Sequence, residues 1–115
     1  MHGDSLAQLL SSMDSVSVSW EPFREGIEIV RLARSVDGGP AAALLRYRPG
    51  ARLPRHRHVG WEYVLILSGS QLDDRGLHAA GELLANAPGS SHGIVSDEGC
   101  VVLVIWEEPV VFEAQ

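Results

Sequence analysis

The chain has 115 residues, 45% of them hydrophobic, and a formal net charge of −6. That is enough for one domain burying about two-thirds of its unfolded surface, with no room for a second folded unit. The acidic balance argues against a nucleic-acid surface, and the longest apolar run, Cys100 to Trp106, is far short of a membrane span.

Leu6, Leu9, Leu10 and Met13 recur with helical spacing behind Asp4-Ser5, an N-cap pair, so residues 1–15 are expected to form a short helix. Residues 16–115 are expected to form a single barrel domain, because the period there changes to that of strands. The expected strands are Val16 to Trp20, Ile27 to Ala33, Ala41 to Arg48, Glu62 to Ser68, Leu77 to Ala80, Leu83 to Ala85, Gly93 to Val95, Cys100 to Glu107 and Val110 to Glu113. Turn signals separate them at Asp37-Gly38-Gly39-Pro40, Pro49-Gly50, Asp74-Arg75-Gly76, Ala87-Pro88-Gly89 and Asp97-Glu98-Gly99. Short strands at regular spacing indicate an all-β barrel or double-sheet jelly roll.

Two strands are apolar on both faces: Tyr63, Leu65 and Leu67 oppose Val64 and Ile66, and Val101, Leu103 and Ile105 oppose Val102, Val104 and Trp106. A small barrel buries only its inner face, so Leu65, Leu67, Leu103 and Ile105 are expected to be covered by a homodimer partner, with the N-terminal helix as the competing cover. The lone cysteine, Cys100, excludes an intrachain disulfide and fits a reducing cytoplasm; it opens an apolar strand, so an inert buried thiol is expected. Residues 1–15 carry two aspartates and no lysine or arginine, unlike a secretion signal. A cytoplasmic protein with no membrane partner is expected. Arg46, Arg48, Arg52, Arg55 and Arg57 cluster in sequence and read as a solvated strand face.

Chemistry concentrates in one spacing: Gly50, five residues, His56-Arg57-His58, three residues, Glu62, six residues, Gly69. Histidines at i and i+2 of a strand share a face, with Cα atoms about 6.6 Å apart, so their imidazoles can converge on one ion. Glu62 would lie roughly 13 Å beyond His58 on a straight strand, so the chain must turn, and Gly60 is the residue expected to permit it. Pro88-Gly89-Ser90-Ser91-His92 then supplies a fourth donor. Three imidazoles and a carboxylate make a divalent metal site. His2 and His78 stand alone and read as satisfied or solvated side chains.

The first segment resembles the first cupin motif, G-x5-H-x-H-x3-E-x6-G, with every fixed position filled. The second is similar to the second cupin motif, G-x5-P-x-G-x2-H-x3-N. Gly81, Gly89 and His92 match, the proline is displaced to Pro88, and Ser96 replaces asparagine, which is expected to weaken a turn contact. Pro54-Arg55-His56, Gly60-Trp61-Glu62, Asn86 to His92 and Asp97-Glu98-Gly99-Cys100 resemble the ChrR-type cupins, among them the C-terminal domain of a zinc-binding anti-sigma factor. The resemblance implies a small cupin, a double-stranded β-helix barrel, with His56, His58, Glu62 and His92 as metal ligands. It favours zinc, while the donor set alone also suits iron, manganese, nickel or cobalt. In that anti-sigma factor, sigma binding belongs to an N-terminal domain with histidine and paired cysteines. No cysteine precedes Cys100 here, so the resemblance implies the cupin module without that domain.

Two functions follow. The chain is expected to be a regulatory or sensory metal-binding module taking a small ligand. The alternative is a metal-dependent dioxygenase of a small carbonyl or phenolic compound. Tyr47, Tyr63, Glu82, Arg46 and Arg48 could move protons, but none has diagnostic spacing, so no catalytic residue is assigned. Trp61 is expected to wall the pocket, and Val64, Ile66, Leu83 and Ile94 to give it an apolar lining.

Overall fold

A computed structural model describes residues 19–33 and 39–113. Among them are ten strands and no helix: β1 Glu21–Arg24, β2 Ile27–Ala33, β3 Ala41–Tyr47, β4 Ala51–Arg57, β5 Glu62–Asp73, β6 Gly76–Ala79, β7 Leu83–Asn86, β8 Ser91–Ser96, β9 Cys100–Trp106 and β10 Val111–Phe112. The expected helix over 1–15 lies outside the described residues, as do residues 16–18; the first described strand begins after Trp20. No helix among the described residues is long and apolar enough to cross a membrane.

All pairings are antiparallel, in the order β1-β2-β3-β9-β5-β8-β4-β10, with β6 and β7 also on β5. Strand β5, at twelve residues, is the spine. Its first half pairs with β9 and β7, and its second half with β6 and β8, so one strand serves both sheets of a jelly roll. The crossing falls where the register shifts between Ile66 and Ser68, just ahead of Gly69. Gly69 has φ 74°, and a Cβ there would overlap the carbonyl oxygen of Gly99. Only glycine meets both demands, which explains this motif position.

Strand β9 alternates along its length, with Cys100, Val102 and Val104 inside. With Ile27, Ile29, Ala43, Leu45, Tyr47, Val64, Ile66, Leu53 and Ile94 they form the core between the curled sheets. Strand β4 breaks this rule. Its register shifts between Leu53↔Ile94 and His56↔His92, one residue being extra on β4. Leu53 and His56 are three apart, yet both face inward, because the bulge at Pro54-Arg55 reverses the parity. Proline suits the bulge, where no ladder N–H is needed.

The outer face of β5 and β9 is partly bare. Tyr63 is 40% and Ile105 46% exposed, while Leu65, Leu67 and Leu103 are half-buried. The clustered arginines are surface residues, two of them ion-paired: Arg46 to Glu28 and Arg55 to Asp74, each at 2.7 Å. Cys100 is buried, and burial pushes its thiol pKa up, as an inert thiol requires.

Replacing Gly69 by alanine should cost at least about 1–3 kcal/mol, since strain and overlap coincide there. Gly76 also has a positive φ, but nothing lies within 4 Å of a Cβ, so Gly76→Ala should cost less. Urea midpoints of the two variants check this; equal losses would contradict the close approach.

Candidate metal centre

Three backbone features bring the four expected ligands together. His56 pairs directly across β4–β8 with His92. His58 lies just past β4 and is fixed by two main-chain bonds, His58 N–H to Ser90 O at 2.8 Å and Gly89 N–H to His58 O at 2.7 Å. Ser90 N–H reaches back to Ala87 O at 3.0 Å, with Pro88 and Gly89 (φ 88°) between them, which is type II turn chemistry. A bend at Val59-Gly60 then returns the chain so that Glu62 opens β5. Gly60 has no left-handed φ. It is required because a Cβ would sit 2.9 Å from Glu107 Cβ, where Glu107 Oε1 accepts from Trp61 N–H at 2.8 Å.

His56, His58, Glu62 and His92 are 2%, 1%, 8% and 5% exposed. Their donor atoms lie within 4.8 Å of one another. The rings meet edge-on, with centroids 5.1, 4.7 and 4.8 Å apart for the pairs 56–58, 56–92 and 58–92. Each Nδ1 is already engaged: His56 with Pro54 O at 3.0 Å, His58 with Ser90 O at 3.0 Å, and His92 with Asp73 Oδ2 at 3.1 Å. Carbonyls and carboxylates only accept, so each Nδ1 carries a proton, and in the neutral ring Nε2 holds a lone pair.

That arrangement suits a proton or a metal ion at its centre. Nε2 of His58 and of His92 are buried with no hydrogen-bond partner, and His58 Nε2 lies 3.2 Å from Glu62 Oε1. A neutral His58 sets two lone pairs face to face at that distance, which repel unless a proton or metal ion lies between them. Three imidazoles and one carboxylate, all with outer hydrogen bonds, are compatible with a divalent metal. Burial pushes the pKa of His56 and His92 down, favouring the neutral form a metal binds. Burial alone would raise the Glu62 pKa, but a protonated His58 and the Asn86 N–H outweigh it and hold the carboxyl low.

Sequence reasoning missed the residues that orient these ligands. Asp73 closes β5, one residue ahead of the Asp74-Arg75-Gly76 turn signal, and carried no signal of its own. It accepts from His92, from Arg75 N–H at 2.8 Å and Arg75 Nη2 at 2.9 Å, and from His78 Nε2 at 2.9 Å. Burial would raise its pKa, yet the Arg75 and His78 bonds hold it far below the ordinary carboxylate range. Arg75 Nη2 also donates to Asn86 Oδ1 at 2.7 Å, and Asn86 Nδ2 donates to Glu62 Oε1 at 3.0 Å. One arginine therefore ties Glu62, through Asn86, to His92, through Asp73. His78 is a satisfied side chain, as expected, held between Asp73 and Glu82, whose Oε2 is 3.0 Å from Nδ1. Ser96, where asparagine is usual in the motif, is fully buried and donates to Ser70 O at 2.6 Å.

Beside the ligands lies an apolar cavity of about 280 Å³, with His56 and Glu62 in its wall. Val64 and Ile94 line it as expected, and Ile66 packs in the core behind them. Leu83 does not: it is 68% exposed, because β7 turns it outward. Trp61 does not either. It is 40% exposed and stacks on Tyr63, with centroids 6.2 Å apart, while Trp106 provides the indole wall. Tyr47 reaches the cavity with its pKa pushed up chiefly by burial; Tyr63, Glu82, Arg46 and Arg48 are not among its lining residues.

Fold and site together define a cupin with a candidate metal centre. The family model described as the ChrR cupin-like domain matches residues 11–109, and the chain belongs to that family. Anti-sigma-E factor ChrR of Cereibacter sphaeroides is 31% identical over 100 residues, 84% of this chain and 46% of that protein, so the chain spans about half the relative's length. The crystal structure of Rhodobacter sphaeroides SigE in complex with the anti-sigma ChrR matches with TM-score 0.71 and 22% identity, over 93% of this chain and 69% of that one. An acetylacetone dioxygenase from Acinetobacter johnsonii matches with TM-score 0.78 and 17% identity, over 100% of this chain and 82% of the other. These two structural likenesses show the fold. The ChrR complex joins that protein to a different protein, SigE.

Asp73→Asn should lower divalent-metal affinity about 10–100-fold without unfolding the barrel, because it weakens the bond that orients His92. Calorimetric titration with zinc measures it, and unchanged affinity would contradict the assigned role.

Acid should destabilise the metal-free protein. His56 and His92 have folded pKa values below the ordinary 6.5, so the unfolded chain takes up protons first and stability falls as pH drops from 6.5 towards those lower values. His78 has the opposite sign: Asp73 and Glu82, against burial, raise its pKa, so its contribution is present below 6.5 and is lost as pH rises. In a His78→Gln background, the urea midpoint should therefore fall between about pH 7.5 and about pH 5.5. A flat or rising midpoint would contradict this.

Proposed function

We propose that the chain is a regulatory, ligand-sensing cupin module whose divalent ion, zinc in preference to iron, manganese, nickel or cobalt, is held by His56, His58, Glu62 and His92. The observation that carries the reading is the buried set of three Nε2 lone pairs and one carboxylate beside an apolar cavity. Bound there, the ion would supply a Lewis-acidic point at the cavity wall. The chain's own residues supply the rest. Nδ1 bonds fix the imidazole tautomers, Asp73, Arg75 and Asn86 hold two ligands in register, and the apolar lining selects a small ligand and excludes water.

The dioxygenase alternative shares fold and ligands, and His56 and Glu62 do open onto the cavity. Its weakness is that, among the described residues, none of the candidate proton-moving groups is placed for the task. Tyr63 stacks outside on Trp61, Glu82 is exposed and bonded to His78, Arg46 pairs with Glu28, and the raised pKa of Tyr47 makes it a poor base. A protein partner fits a regulatory module. ChrR's partner in its complex is a different protein, which favours a heterologous partner over the homodimer expected from the bare outer face. The single buried thiol suits a reducing cytoplasm.

Elemental analysis of protein purified without added metal, with oxygen-uptake assays on small diketones and phenols, separates the readings. About one zinc per chain and no oxygen uptake is the expected result. Native iron with substrate-dependent uptake would replace the module by the enzyme.

A further inference from the structure

The cavity is not uniformly apolar: Arg31, Tyr47, His56, Glu62, Gln71 and Trp106 bring polar groups to its wall. Among the lining residues the formal charges are Arg31 and Glu62, with His56 titratable. Arg31 continues the inward row of β2 after Ile27 and Ile29, where an aliphatic residue would continue the core, and it is exposed. No carboxylate among the described residues lies within ion-pair distance of it, unlike Arg46, Arg55 and Arg75. Trp106 lines the same cavity, and its Nε1–H is buried with no acceptor among the described residues. An unsatisfied buried donor is costly, so each such group in a folded protein calls for an explanation.

The sheet places these two groups for a shared task. Arg31 pairs with Ala43 on β3, which pairs with Val104 on β9; Ala41 pairs with Trp106. Arg31 and Trp106 thus flank β3 two ladder spacings apart across the sheet and two residues apart along it, about 12 Å between Cα atoms. The residues between them are alanines, which leave the gap open. On the far side of Trp106 its β5 partner is Glu62, so the order across the inner wall is Arg31, the alanine gap, Trp106 and Glu62.

We propose that the cavity takes a small apolar monocarboxylic acid, its carboxylate held between the Arg31 guanidinium and the Trp106 Nε1–H and its apolar body lying against Val64, Val104 and Ile94. This rests on the ligand-binding reading above and names the ligand class. Charge favours it: a divalent ion with three neutral imidazoles and Glu62 leaves a net charge of plus one, and Arg31 adds another. A carboxylate accepts from both free donors, whereas an amine would meet two positive centres. The volume, near the low end of the roughly 300–1,000 Å³ usual for ligand pockets, limits the acid to one ring or a short branched chain.

Benzoate and its neutral counterpart benzyl alcohol are the probes, titrated calorimetrically into the zinc-loaded full chain and into Arg31→Gln and Trp106→Phe. Benzoate should bind at least about 10-fold tighter than benzyl alcohol. Arg31→Gln should weaken benzoate by about 10–100-fold and Trp106→Phe by about 2–10-fold, with benzyl alcohol and zinc content unchanged in Arg31→Gln. Benzoate affinity untouched by Arg31→Gln would place the carboxylate on the ion and overturn the proposal. Benzyl alcohol binding as tightly as benzoate would overturn the acid while leaving a ligand-binding cavity. Binding of neither probe would overturn both the acid and the ligand-binding reading.

Discussion

Four ligand-type groups buried with their lone pairs facing one another set the constraint on which the rest of the molecule depends. Neutral imidazole Nε2 atoms and a carboxylate oxygen, removed from water and packed within 4.8 Å, repel until positive charge sits among them. The chain holds them there through bonds to the opposite side of each group. Pro54 O, Ser90 O and Asp73 fix the rings, and Asn86 fixes the carboxylate. The irregular parts of the barrel serve the same end. The β4 bulge turns His56 inward, the Pro88-Gly89 turn seats His58 and starts β8, and the bend at Gly60 brings Glu62 back.

The site was legible because its ligands follow fixed spacing on strands and turns. His56 and His58 on one face, and a turn ahead of His92, follow from a period of two and from proline-glycine chemistry. The outer ring was not legible, because Asp73 and Arg75 share one turn but reach His92 and Asn86 only where separate strands come together. Asp73 also bonds the Arg75 N–H, so locally it is an ordinary turn aspartate. Strand β4 escaped for a different reason. Its extra residue breaks the alternation, and Pro54 argues against a strand until the bulge is seen. Trp61 is not the wall it was expected to be, and Trp106, on the inner face of β9 as its alternation implied, takes that place. Trp61 adjoins Glu62 in sequence and so faces the other way, whereas Trp106 is its partner across the ladder.

The two faces of the β5–β9 pair carry different parts of the account. The inner face joins the ligands to a chamber with an arginine and an indole in its wall. The outer face, with Tyr63, Ile105 and the Trp61 stack, is an apolar surface on the strands that supply Glu62 and Trp106. A ligand gripped inside and a protein held outside would thus press on the same two strands. Membership of the ChrR cupin-like family fits that geometry, and the chain's coverage of about half of its curated relative confines the comparison to the cupin portion.

X-ray absorption at the zinc edge of the stoichiometrically loaded protein tests the central claim most directly. The account predicts nitrogen and oxygen donors at about 2.0–2.2 Å, with the scattering pattern of three imidazole rings and one carboxylate. A sulfur donor at about 2.3 Å, which would have to come from Cys100, or fewer than three imidazoles would contradict it.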